Sequence, residues 1–145
     1  GKTRAATGRS VVTTVARRTG DRGEEAAARL LRSRGLRILD RNWRAGPLEL
    51  DIVCADGDTL VFVEVKTRAA GGMTCPTDGI TARKRRTVFQ AARAWLDAHA
   101  AWDRPCRFDV VCVVRDGTLF TPEHYPHAFD ISEFVDCRHT AWQPW

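Results

Sequence analysis

Residues 48–68 read LELDIVCADGDTLVFVEVKTR, two apolar-rich runs on either side of Asp56-Gly57. An Asp-Gly pair between alternating apolar segments predicts a β-hairpin, with strands over residues 48–54 and 60–65. Side chains alternate across a strand, so Glu49 and Asp51 share a face, and so do Glu64 and Lys66. Any loop with an even number of residues brings those pairs to the same side. A loop of Asp56 and Gly57 alone sets Glu64 opposite Glu49, and two residues more set it opposite Asp51. The other face collects Leu50, Ile52, Val61, Val63 and Val65 and reads as core. Like charges facing one another across strands are destabilising, so the clustered acids call for a cation. Lys66 supplies one positive charge, and a divalent metal would supply the rest.

Upstream, a helix is expected from about Asp21 to Ser33, capped near Gly20 or Asp21 and stopped by Gly35. Its buried stripe would be Ala26, Ala27, Leu30 and Leu31, with Glu24 at the margin of that face. An acid in a first turn is favoured by the helix dipole alone, yet the same position lets Glu24 lean toward the sheet. Residues 36–43 should be extended. Downstream, residues 67–77 read as loop, followed by a second helix from Asp78 or Thr81 to His99. Lys84 shares a stripe there with Val88, Ala91, Ala92 and Trp95, so it points toward core or site. Residues 108–114 form a continuous apolar strand, Asp116-Gly117 turns into residues 118–120, and the chain after Pro122 reads as irregular. The fold class is α/β, a small mixed β-sheet flanked by helices.

With 145 residues the chain most simply forms one domain with a core of its own. Its net charge of +5 resides wholly in residues 1–20, where Lys2, Arg4, Arg9, Arg17 and Arg18 stand without an acid. Residues 1–19 are expected to be a flexible basic arm, suited either to tracking phosphates or simply to solubility. Residues 20–130 form the domain, and residues 131–145 an irregular tail. No apolar run reaches membrane-spanning length, so no membrane association is expected. Five scattered cysteines, two inside apolar runs, suit a reducing cytoplasm.

Asp51, twelve intervening residues, then Glu64-x-Lys66 on the paired strand matches the PD-(D/E)xK nuclease pattern. Leu50 stands where the motif name has proline. Phosphodiester hydrolysis needs acids to hold magnesium or manganese, and a cation near the attacking water. Asp51 and Glu64 would hold the metal with the backbone carbonyl of Val65, and Lys66 would face the developing phosphorane charge. Glu49 or Glu24 would position water or a second metal. Arg83, Lys84, Arg85 and Arg86 crowd the start of the second helix, where cations oppose the dipole and so suggest an anion, with Arg68 nearby in the same basic set. They also fit a plain solvated helix face. Asp109, inside an apolar strand, reads as structural, and Trp43 is the tryptophan best placed for base stacking. No zinc-like spacing of histidine and cysteine is present.

These segments together resemble the uncharacterised YraN-like proteins, small bacterial members of the restriction-endonuclease-like superfamily. Gly20-Asp-Arg-Gly23-Glu24-Glu-Ala26 resembles that family's GxxGExxA opening, and residues 35–44, GLRILDRNWR, its G-[YL]-x-I-L-x-x-N-x-R segment. Glu49-Leu-Asp51-Ile-Val is similar to its G-E-[IL]-D-[LI] strand, although Leu48 replaces the usual glycine. Val61-Phe-Val-Glu64-Val-Lys66-Thr-Arg68, Lys84 and Phe108-Asp109-Val-Val also have counterparts. The resemblance implies a restriction-endonuclease-like core similar to archaeal Holliday-junction resolvases, where a helix glutamate comparable to Glu24 joins the strand acids and lysine at the metal. It implies a nucleic acid as substrate, DNA first, with branched or flapped forms among those expected. A homodimer would suit cleavage of two strands. The alternative is a catalytically silent nucleic-acid-binding protein that keeps the nuclease fold.

Overall fold

A computed structural model describes the backbone over residues 11–71 and 80–129, and side chains from residue 21 onward. The first helix, α1, runs Val11–Ser33 and starts well before the expected Asp21. Gly20-Asp21 reads locally as a cap, but a helix already under way absorbs an interior glycine at about 1 kcal/mol. Residues 11–19 are therefore helical, while residues 1–10 lie outside the described residues. Gly35 ends the helix at φ 88, with the Leu36 N–H donating to the Leu31 carbonyl at 3.1 Å. That is the closure a left-handed glycine permits. Among the described side chains of α1, those fully buried are Ala27, Ala28 and Leu31, so the buried stripe is rotated slightly from the one expected.

Five strands follow in sheet order: β1 (Arg37–Ala45), β2 (Leu48–Asp56), β3 (Thr59–Ala69), β4 (Cys106–Asp116) and β5 (Leu119–Phe129). All neighbours are antiparallel except β3 and β4, which are parallel and joined through helix α2 (Ala82–Ala98). A parallel pair needs such a crossover. The α2 start agrees with expectation: Thr81 is its N-cap and accepts from the Lys84 N–H. The β2–β3 strands run further than the sequence suggested, with Asp56 paired to Thr59 and the loop reduced to Gly57 and Asp58. Gly57, at φ 60, takes the first loop position, where a twist-compatible two-residue turn wants glycine.

Helices cover both sheet faces. Val53, Leu60, Phe62 and Phe108 pack with Val88, Ala92, Trp95 and Leu96 of α2. Ile52, Cys54, Val61, Val63, Val111 and Val113 pack with Ala27, Ala28 and Leu31 of α1. The one-sided core expected for the hairpin is thus one of two, and Leu50 joins the α2 side rather than the side of Ile52. Asp40 accepts from Trp95 Nε1 at 3.0 Å, tying β1 to α2. Trp43 packs partly buried against the same core beside His99, which uses its ring for packing.

The expectation of irregular chain after Pro122 fails, because β5 continues to Phe129 through Pro122 and Pro126. Proline ends central strands but is tolerated on an edge, where its missing N–H faces no partner. The tail 131–145 lies outside the described residues.

Candidate metal centre and active site

On β3 the even-numbered residues Leu60 and Phe62 face α2, and Glu64, Lys66 and Arg68 continue that alternation. The observed register is the one that places Asp51 opposite Glu64. Ladder pairing of β2 with β3 extends only to Ile52 and Val63, while β3 stays paired with β4 as far as Ala69. β2 therefore peels away where the acids stand. Asp51 fills the break by accepting the Val65 N–H on Oδ2 at 2.8 Å. In an antiparallel pair a residue's N–H and C=O face the same neighbour, so the Val65 carbonyl also borders this gap.

The Asp51 and Glu64 carboxyl groups lie close enough to raise one another's proton affinity, and Lys84 Nζ of α2 lies 3.5 Å from Glu64 Oε2. Burial pushes the Glu64 carboxyl up to about 8, and the neighbouring Asp51 adds to this against the pull of Lys84. Burial likewise raises Asp51, opposed by the Val65 N–H and by Lys84. Two carboxyls this close, and largely withdrawn from water, favour the protonated form of one of them.

Glu24 of α1 is near enough for its negative charge also to raise Asp51. Its Oε1 accepts from Arg41 Nη2 at 3.2 Å and from Asn42 Nδ2 at 2.8 Å. Consecutive strand residues normally point to opposite faces, yet both reach one oxygen. Asn42 makes this possible by taking φ 54, a left-handed conformation that asparagine tolerates better than most residues. Sequence reasoning missed Arg41 and Asn42 as holders of Glu24; the available signal was an asparagine, a poor strand former, within an extended segment. Glu49, by contrast, is half exposed and lies 3.6 Å from Arg44 Nη2.

Gly23 sets how near α1 comes to β3. A Cβ there would stand 2.5 Å from Thr67 Oγ1, one residue past Lys66. Gly23→Ala should therefore lower stability by about 1–2 kcal/mol, because overpacking outweighs the roughly 1 kcal/mol that alanine gains in a helix. Denaturant unfolding of Gly23→Ala and of Gly23→Ala with Thr67→Ala checks this: the second change should recover the loss. A Gly23→Ala protein more stable than wild type would show that the helix has room to spare.

The basic residues divide. Arg83, Lys84 and Arg86 are exposed at the start of α2, whereas Arg85 donates to the Ile80 carbonyl at 2.6 Å and fastens the segment before the helix. Asp109 is fully buried among Arg107, His124 and the His127 N–H, in the structural role expected of it. Cys54, Cys106 and Cys112 are free thiols, and burial pushes Cys54 up to about 12. Cys75 and Cys137 fall outside the described residues. Among the described residues no group of three or more His, Cys, Asp or Glu side chains is placed to hold an ion. There too, no helix is long and apolar enough to cross a membrane.

Comparison with known proteins places this arrangement in a family. A model of the uncharacterised protein family UPF0102 matches residues 23–113, a span that holds Glu24, Asp51, Glu64, Lys66, Lys84 and Asp109. A UPF0102 protein of Nitratidesulfovibrio vulgaris is 58% identical over 127 residues, 88% of this chain and 95% of the relative. One from Lawsonia intracellularis is 46% identical over 126 residues, covering 87% and 96%, and one from Geobacter sulfurreducens 42% over 118 residues, covering 78% and 89%. With near full-length identity of this order and all of the polar cluster inside the matched span, the chain belongs to the UPF0102 family, the YraN-like proteins of the restriction-endonuclease-like superfamily.

Proposed function

We propose that this protein is a magnesium- or manganese-dependent nuclease that hydrolyses phosphodiester bonds in DNA. The observation that carries the reading is the partly buried Asp51–Glu64 pair, two neighbouring carboxyls at a break in the sheet with their proton affinity raised. Two carboxylates and the Val65 carbonyl make an all-oxygen donor set. That set suits a hard cation that keeps several waters and completes its shell with substrate phosphate. These three groups would hold the ion, which when bound supplies Lewis acidity toward phosphoryl oxygens and toward water.

The chain's other groups have separate tasks. Lys66, two residues past Glu64 on the same face, would neutralise charge that grows on the phosphoryl oxygens as water attacks phosphorus and the ester bond breaks. Glu24, fixed by Arg41 and Asn42, would orient a water by accepting a hydrogen bond from it. Arg83, Lys84 and Arg86 would meet the backbone of the nucleic acid.

The test is hydrolysis of duplex, single-stranded and branched DNA, and of RNA, with magnesium or manganese. Lys66→Ala should lose at least about 100-fold in rate with its thermal unfolding unchanged. A wild-type protein that cleaves none of these substrates sinks the proposal. The Lys84–Glu64 contact favours one second reading, in which a lysine already meets the charge of the pair and the protein only binds nucleic acid. Salt-sensitive binding that survives Asp51→Ala and Glu64→Ala, without cleavage by wild type, would select it.

A further inference from the structure

We propose that Arg68 binds a second phosphate of the substrate backbone, so that the site takes an extended polynucleotide strand rather than a small phosphate ester. This rests on the nuclease reading and adds to it a second phosphate subsite. Glu64, Lys66 and Arg68 are alternate residues of β3, and alternate residues on one strand face lie about 6.6 Å apart. Past Val63 that strand is paired with β4 alone, so the row borders the gap left by β2. A backbone lying along this edge meets the carboxyl pair, then the ammonium, then the guanidinium.

Arg68 is the group whose chemistry is otherwise unexplained. Its Nε is buried and, among the described residues, has no hydrogen-bond partner. A guanidinium stays charged, carries five donors and accepts nothing, so a buried Nε–H without an acceptor is costly unless a ligand completes it. The carboxylates on this face are already engaged, with Asp51 on the Val65 N–H and Glu64 beside Lys84. The matching acceptor is a phosphate oxygen, which a guanidinium can grip with two parallel N–H groups. Arg68 lies four residues from Glu64, about 13 Å along the strand, a spacing that suits a neighbouring phosphate of the same polynucleotide rather than the one held at the carboxyl pair.

Binding of a fluorescein-labelled single-stranded oligodeoxynucleotide in EDTA, across a range of salt, provides the test. It is paired with hydrolysis of bis(p-nitrophenyl) phosphate in manganese. Arg68→Gln should bind the oligonucleotide about tenfold more weakly and flatten the dependence of log affinity on log salt by roughly 0.7. Its hydrolysis of the small diester should be unchanged, and its thermal unfolding no lower than wild type. Arg68→Lys should restore the salt slope and only part of the affinity. Unchanged oligonucleotide binding in Arg68→Gln overturns the assignment, and so does an equal loss on both substrates. Failure of wild type to bind any oligonucleotide ends both proposals. Binding without hydrolysis in any metal removes only the nuclease reading, and the salt slope alone then decides Arg68.

Discussion

Glu64→Gln should make the metal-free protein more stable at pH 8 while ending its response to magnesium and manganese. The carboxyl of Glu64 is raised from 4.5 to about 8 by burial and by Asp51. The folded state therefore holds this proton more tightly than the unfolded chain does. The stabilisation from this group is complete below about pH 4.5 and disappears as pH rises through about 8. Each unit of such a shift is about 1.4 kcal/mol, which makes the pH-dependent cost several kcal/mol. The amide of glutamine keeps the shape and removes the charge. A gain of about 2 kcal/mol at pH 8, or roughly 5–10 °C in Tm, is expected, shrinking toward zero at pH 4.5. Wild type should recover the difference when manganese is added, and calorimetric titration should find binding in wild type but none in Asp51→Asn or Glu64→Gln. A Glu64→Gln protein less stable than wild type at pH 8 without metal would mean that Lys84 already satisfies the pair, and the case for a cation site would go with it.

What the sequence disclosed about this site follows from which parts are locally determined. The period of two along Glu49–Asp51 and Glu64–Lys66 is a property of the strand itself, so the sharing of one face was readable without any tertiary knowledge. Choosing between two registers was not, because moving the loop from Asp56-Gly57 to Gly57-Asp58 keeps the parity and changes only which acid lies opposite. Strand twist makes that choice by favouring glycine first. The face taken by Leu50 was hidden for another reason: β2 leaves β3 just there, and the alternation that holds for Ile52 and Val53 does not carry across the break. Asn42 was hidden because its left-handed backbone goes with a contact to Glu24 on the preceding helix, which local strand propensity does not report. Proline in β5 misled because an edge strand and an irregular tail have the same composition. The longer α1 escaped for a similar reason, since Gly20-Asp21 has one local meaning and another inside a helix.

Asp109→Ala should destabilise the fold by about 3–5 kcal/mol. Asp109 has no exposed surface and pairs with Val63 on β3, on the α1 side of the sheet. Its Oδ1 accepts from Arg107 Nε at 3.1 Å and from the His127 N–H at 3.1 Å, and its Oδ2 takes the His124 Nε2 contact at 2.7 Å. His127, at φ 53, turns its N–H inward next to the irregular pairing between Phe108 and Val110. Arg34 at the end of α1 reaches His124 Nδ1 at 3.3 Å. Arginine only donates, so that contact requires a lone pair on Nδ1 and leaves the proton on Nε2, facing the carboxylate. Arg107 extends the network to Asp56 at the hairpin tip, at 2.9 Å. One carboxylate thus joins β4 and β5 directly and reaches α1 and the hairpin through its partners. Burial alone would raise its pKa, but the hydrogen bonds from His124, Arg107 and His127 outweigh it and hold the carboxyl below the usual range. The stability it contributes is therefore present above the unfolded value near 3.8 and lost as pH falls through the lower folded value. Alanine leaves the Arg107 guanidinium largely buried with Asp56 alone, whereas Asp109→Asn keeps an acceptor and should cost about 2 kcal/mol. Urea unfolding of both variants, with manganese titration of the folded asparagine protein, separates framework from chemistry. Asparagine at 109 should bind metal as wild type does, because the network lies across the sheet from Asp51 and Glu64. Loss of metal binding in a folded Asp109→Asn protein would instead make this buried carboxylate part of the site.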